Sequence, residues 1–364
     1  MTNEGMIPDA GYSRKTLYDT WMEGEGIPIV TGYAVDDLRT VPVGKWARCG
    51  GLGAFINLEG NEYAAGSYVC EIPPGGSLEP QKHMYEELIV VLSGRGATTV
   101  WYEGGPKQTF EWGEWSLFAI PLNAWYQHFN GQGDKPARYY AVNSAPLIIN
   151  LFHNMDFVFD NDFVFKDRYA GQEDYFSGKG KLGLAAMGTV SKRPVWDSNF
   201  TPDVLHLKLY DWQERGAGGT NIMFEMAEST MPAHVSEFPS GTYKKAHRHG
   251  PAANVIILDG KGYSLLWREG EPWMKCDWHQ GSVVVPPDRW FHQHFNISKG
   301  PARYLALSRA AAGRKHYMGE KKKADWSIKE GGNQIEYEDE SLEVRKLFEQ
   351  ELAKEGTELK MPSR

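Results

Sequence analysis

Three cysteines in 364 residues are too few, and odd in number, to frame a disulfide-stapled fold. Cys49, Cys70 and Cys276 are also widely spaced, so they make no paired-cysteine metal knuckle, and a reducing, cytoplasmic compartment is the simplest expectation. No apolar run approaches the ~20 residues that cross a bilayer. Met1 to Lys15 lacks the basic-then-apolar pattern of a secretory leader. Dense positive charge is missing too: the net charge is −8 with both signs interspersed. A nucleic-acid surface needs clustered Lys and Arg. The one basic run, Lys321-Lys322-Lys323, stands beside Asp325 and Glu330 and reads as a solvated loop. A small-molecule substrate is therefore expected, with neither nucleic acid nor membrane as partner.

What is present is a repeat. The length suits two domains better than one, and the chain resembles itself at an offset of 166 residues. Gly94-Arg95-Gly96 recurs as Gly260-Lys261-Gly262, and Trp101, Glu103, Gly104 and Pro106 as Trp267, Glu269, Gly270 and Pro272. Trp112 and Ser116 match Trp278 and Ser282, and Gln127-His128-Phe129-Asn130 matches Gln293-His294-Phe295-Asn296. Pro136 to Tyr139 then returns as Pro301 to Tyr304, one residue out of step. A period this long means duplicated domains rather than a solenoid.

Each copy reads as short strands. Leu88 to Leu92 and Val255 to Leu258 are apolar and β-branched, and Thr98 to Tyr102 and Tyr263 to Trp267 return as hairpin partners. Prolines stop further strands at Pro121 and at Pro286-Pro287. The expected fold is all-β: two tandem jelly-roll barrels with short helical extensions at both ends. The expected divisions are an N-terminal extension over 1–45, a first barrel over 46–150 and an aromatic-rich, ordered connector over 151–198. A second barrel over 199–312 and a C-terminal extension over 313–364 complete the chain. Arg14 to Met22 suggests a short helix, and Leu342 to Lys354 has apolar residues at helical spacing, suited to packing on a barrel or a partner subunit.

Chemistry concentrates in the second copy, as Gly241, His247-Arg248-His249, Gly260, Gly281, Pro287 and His292. Residues i and i+2 of a strand share a face, so His247 and His249 can project into the barrel together while Arg248 points away. His292 would close a set of three imidazoles that leaves coordination positions open. His294 shares the face of His292 and is the alternative third ligand. A lone strand histidine is usually structural; the His-x-His pair with a third histidine at barrel spacing is not a usual structural pattern.

These motifs resemble the two conserved motifs of the cupin superfamily, and two copies in one chain resemble a bicupin. Metal-binding cupins commonly add a glutamate four residues after the second histidine; here that position is Ala253. Its loss, with the segments "AHRHGPAAN" and "PPDRWFHQHFN", resembles the gentisate 1,2-dioxygenase-like bicupins. That resemblance implies Fe(2+) held by three histidines, and ring cleavage of an aromatic hydroxy acid (gentisate- or salicylate-like) with O2. One extra residue, Phe291, departs from the family's pattern before His292. The alternatives are a manganese, Mn(2+), bicupin of the oxalate decarboxylase type, against which Ala253 counts, and a non-catalytic ligand-binding bicupin. Bicupins also imply a homo-oligomer.

The offset projects His247, His249, Ala253 and His292 onto Gln81, His83, Glu87 and Tyr126. The first copy thus keeps one imidazole and one carboxylate, with His128 nearby, and is expected to be a degenerate barrel or a weak second metal site. Trp115, in place of Gly281, is expected to fill space rather than make a turn. For a substrate carboxylate the candidates are Arg268, Arg289 and Arg303; Arg303 is matched by Arg138, which favours a structural role. Trp267, Trp290 and Phe291 are candidate aromatic walls, although such residues are more often core.

Overall fold

The computed structural model describes residues 15–187, 191–308 and 325–362; the Lys321–Lys323 run lies outside them. Each copy folds as one large and one three-stranded sheet. In the first, Gly51–Ile56, Gly66–Ile72, Ala137–Asn143, Glu87–Ser93 and Leu117–Ile120 are neighbours in that order. Trp125–Asn130, Gly96–Trp101 and Gln108–Trp112 form the smaller sheet. The second copy repeats the order with Thr220–Glu225, Ala233–Phe238, Ala302–Ser308, Ala253–Asp259 and Val283–Val284, and with Met274–His279, Lys261–Trp267 and Phe291–Asn296. The strands are apolar on their inner faces, and the mixture of β-branched and aromatic side chains suits pleated, two-layer packing.

The barrels exchange short strands. Ala34–Val35, from the N-terminal extension, pairs with Val283–Val284 of the second barrel. Phe200–Thr201 pairs with Leu117 and Phe118 of the first, so the second barrel's expected opening residues belong to the first barrel's sheet. The connector is ordered, with helices Ala145–Phe152 and Met155–Phe159, then the hairpin Lys181–Met187 and Ser191–Asp197, which joins the second barrel's sheet. One buried apolar cluster spans both copies, joining Leu88, Val90, Leu92 and Trp115 to Phe224, Ile256 and Leu305.

The terminal helices form where local chemistry favours them. Leu17–Gly24 starts at a capping box in which Asp19 N–H donates to Thr16 Oγ1 at 3.1 Å and Thr16 N–H to Asp19 Oδ2 at 2.9 Å. Leu342–Glu355 is capped by Ser341 and closed by Gly356 at φ +63°. It buries Val344, Phe348 and Leu352 against Tyr243, Tyr263 and Phe295, so it packs on the second barrel.

One sequence expectation is corrected. Trp115 takes φ +62° where Gly281 takes +93°: the tryptophan makes the same left-handed turn, although its side chain is also buried in the core. Cys49 and Cys70, far apart in sequence, bring their thiol sulfurs to 4.0 Å inside the first barrel.

Candidate metal centre

His247 and His249 sit on an irregular extended segment beside the strand Phe291–Asn296. His247 and His292 exchange backbone bonds, N–H to O at 3.0 and 2.9 Å, so their side chains stand as a direct antiparallel pair on one face. His249 follows two residues on, and its carbonyl accepts the Arg289 N–H at 3.0 Å. The three rings converge, with centroids 4.2 Å apart for His247 and His292, 4.6 Å for His249 and His292, and 5.6 Å for His247 and His249. One ring nitrogen from each lies within 4.8 Å of the others. Among the described residues this is the one cluster of three or more His, Cys, Asp or Glu side chains gathered so closely.

The hydrogen bonds fix the tautomers. Each Nδ1 lies near a backbone carbonyl: Lys245 for His247 at 3.3 Å, Gly250 for His249 at 2.7 Å and Trp290 for His292 at 3.3 Å. A carbonyl only accepts, so Nδ1 carries the hydrogen and Nε2 keeps the lone pair. Burial, reinforced for His247 by the Arg215 charge and by the other rings, holds His247 and His292 well below the ordinary imidazole range. A neutral ring with an oriented Nδ1–H is the state in which imidazole binds a divalent ion; His247 and His292 are held in it, and His249 completes a set that suits one.

His294 does something else. Its Nδ1 meets Ser264 Oγ at 2.7 Å, and that oxygen accepts the Trp278 indole N–H at 3.1 Å. The first barrel repeats the device: His128 Nδ1 lies 2.7 Å from Thr98 Oγ1, which accepts from the Trp112 indole at 2.9 Å. His294 is thus half of a repeated structural triad, and His292 is the histidine that joins His247 and His249.

The first barrel keeps a remnant. His83 Nδ1 donates to the Tyr85 carbonyl at 2.8 Å, and Nε2 faces Glu87 Oε1 at 3.7 Å. Glu87 Oε2 accepts from the Tyr68 hydroxyl and the Asn143 amide, but the facing atoms, His83 Nε2 and Glu87 Oε1, have no hydrogen-bond partner. Tyr126, paired with Gln81, is buried where His292 stands in the other copy.

The arginines divide. Arg303 bonds Glu237 at 2.8 Å and the carbonyls of Val204 and Leu207; Arg138 bonds Glu71 at 2.7 Å and the carbonyls of Leu38 and Val41. Both pin the segment leading into their own barrel. Arg268 and Arg289 are exposed, Arg268 over the Trp290 ring and Arg289 turned outward at φ +59°. Arg248 points away to Glu269 and lies over Phe291, while Trp267 and Phe291 stack with centroids 5.6 Å apart. The arginine whose charge reaches the histidines is Arg215, which no motif or repeat singles out.

Residues 68–143 match the family model of the cupin domain, and the second copy repeats that barrel strand for strand. The first barrel thus matches a cupin domain, and the second shares its strand order. No curated protein matches the sequence. Solved structures similar to this chain include an oxalate decarboxylase at 14% identity, covering 78% of this chain and 79% of that one with a TM-score of 0.49. A variant of the Bacillus subtilis enzyme is 13% identical over 78% and 79% of the two chains, with a TM-score of 0.48. The Lactobacillus farciminis enzyme, a formate complex, is 13% identical over 76% and 86%, with a TM-score of 0.48. Likeness this distant carries no chemistry to this chain, and the resemblance to gentisate dioxygenases gains nothing from it.

Proposed function

We propose that this bicupin is a metal-dependent enzyme whose centre is His247, His249 and His292, and that it is a non-haem Fe(II) dioxygenase opening the ring of a hydroxylated aromatic acid with O2. The observation that carries this reading is a cluster of three imidazoles with no carboxylate: Ala253 stands where the first barrel has Glu87. Three neutral ligands leave a divalent ion's charge uncompensated, which favours an anionic, chelating substrate over a neutral one. When bound, ferrous iron offers open positions to substrate and O2 together and acts as template and electron conduit. The chain's own work is to aim three Nε2 atoms at one point through carbonyl-bound Nδ1–H groups, and to keep those of His247 and His292 unprotonated by burial.

A second reading is a manganese bicupin of the oxalate decarboxylase type acting on a small carboxylic acid. It is favoured by the His83–Glu87 pair, whose facing buried atoms are those a cation would satisfy. Anaerobically purified protein offered gentisate, salicylate, hydroxynaphthoate and oxalate in an oxygen-electrode screen separates the two. Substrate-dependent O2 uptake with an aromatic acid and loss of its ring absorbance are expected. Manganese without iron, together with CO2 release from oxalate, would replace the first reading by the second.

A further inference from the structure

A polar row crosses the second barrel beside the histidines. His292, His247 and Gln334 are paired in succession by antiparallel bridges across three neighbouring segments, and residues paired directly point to the same face. Gln334, 1% exposed, therefore shares the inward face of His247. It belongs to the C-terminal extension, which is tied to the histidine segment by Ile335 N–H to Ala246 O at 2.8 Å and Arg248 N–H to Asn333 O at 2.9 Å.

Gln334 Oε1 accepts a bond from Arg215 Nη1 at 3.2 Å. Arg215 is 5% exposed, with Nε 3.2 Å from Asp325 Oδ1 and its guanidinium carbon 5.3 Å from the Trp212 ring centroid. Its loop is an elaboration of the second barrel. Trp46 pairs with Gly51 in the first barrel and Asp211 with Thr220 in the second. The turn is thus four residues (47–50) in one and eight (212–219) in the other. Arg138 and Arg303 recur in both barrels and bind backbone carbonyls; the first barrel's turn carries Arg48, a third exposed and paired with Glu25, whereas Arg215 is buried beside Gln334.

We infer that Arg215 is the specificity residue of this site: a ligand reaching the three histidines sets its carboxylate against the Arg215 guanidinium, joining Asp325 and Gln334 around it. Guanidinium N–H groups make charge-assisted bonds to carboxylates, and with Nε facing Asp325 and Nη1 bonding Gln334 the ligand would share the fork with both. Trp212 and Gln334 hold the guanidinium in place beforehand. The inference deepens the proposed function by assigning the residue that recognises the substrate carboxylate, and it rests on that reading only in placing the ligand at the histidines.

Salicylate and catechol share the ring and one hydroxyl and differ in the carboxylate, so they are the probes. Their affinities are measured by calorimetry on metal-free and Co(II)-loaded protein, with the Co(II) visible spectrum reporting the histidines. In Arg215→Gln salicylate binding should weaken at least about tenfold, with catechol binding unchanged and Co(II) still bound, and Arg215→Lys should restore part of the loss. Equal salicylate affinity in wild type and Arg215→Gln would overturn the inference, as would an equal loss for catechol. If Co(II) does not bind but the Arg215-dependent preference for salicylate persists, the metal reading fails and this one stands.

Discussion

His128 and His294 play the same part in the two barrels: each binds a hydroxyl that also takes a tryptophan N–H, and each is fully enclosed. Burial pushes His128 down to about 3, against about 6.5 for a solvated imidazole. The unfolded chain thus takes up a proton, below about pH 6.5, that the folded chain refuses. The sign follows from linkage: stability is fully present above about pH 6.5 and is lost as the pH falls, by on the order of 1 kcal/mol per unit from this group. Urea denaturation at about pH 7 and about pH 5 should show a lower midpoint in acid, and His128→Gln should flatten that dependence. An unchanged slope in the variant would show that other groups dominate. Ala253 is the other decisive single residue. Its methyl group puts no carboxylate beside His249, and so sets the charge of any bound ion's environment.

Among the elements, the arginine clasps show how each barrel recruits the chain that leads into it. Arg138 is 8% exposed and joins the strand Ala137–Asn143 to Glu71 and to two carbonyls near residue 40. Arg303 repeats this with Glu237 and the segment near residue 205. Arg138→Ala leaves the Glu71 carboxylate and those carbonyls short of a donor. Because Glu71 keeps 19% of its side chain in solvent, about 2 kcal/mol is expected rather than the full buried-pair penalty. Arg248→Ala removes a pair whose glutamate is 68% exposed, and should cost under about 0.5 kcal/mol. Equal losses for the two in denaturant titrations would contradict the clasp. The repeated arginine was legible in the sequence as structural, because a residue kept in both copies cannot mark the one competent site.

The molecule as a whole is a duplication with its three-histidine cluster on one side. The repeat, the hairpin strands and the three-histidine cluster were legible because they depend on local spacing: parity places His247 with His249, and the offset exposes Gln81, His83 and Tyr126 as the counterparts of the three histidines. The exchanged strands Ala34–Val35 and Phe200–Thr201 were not, since two residues carry no periodicity and their pairing is decided by tertiary contact. Arg215 and Gln334 escaped for the same reason: one lies in an enlarged turn, the other in a C-terminal segment with no repeat partner. Arg268 and Arg289 are near the histidine strands in sequence, yet both side chains are exposed. The shared core across the two copies, with strands traded in both directions, makes the first barrel a support for the second whatever its own binding capacity.

The central claim is that one barrel holds the metal. Elemental analysis by plasma mass spectrometry, on protein purified without oxygen and reconstituted with Fe(II), tests it directly. About one metal ion per chain is expected, abolished by His249→Ala and retained by His83→Ala. Metal that survives His249→Ala, or that is lost with His83→Ala, would contradict the account.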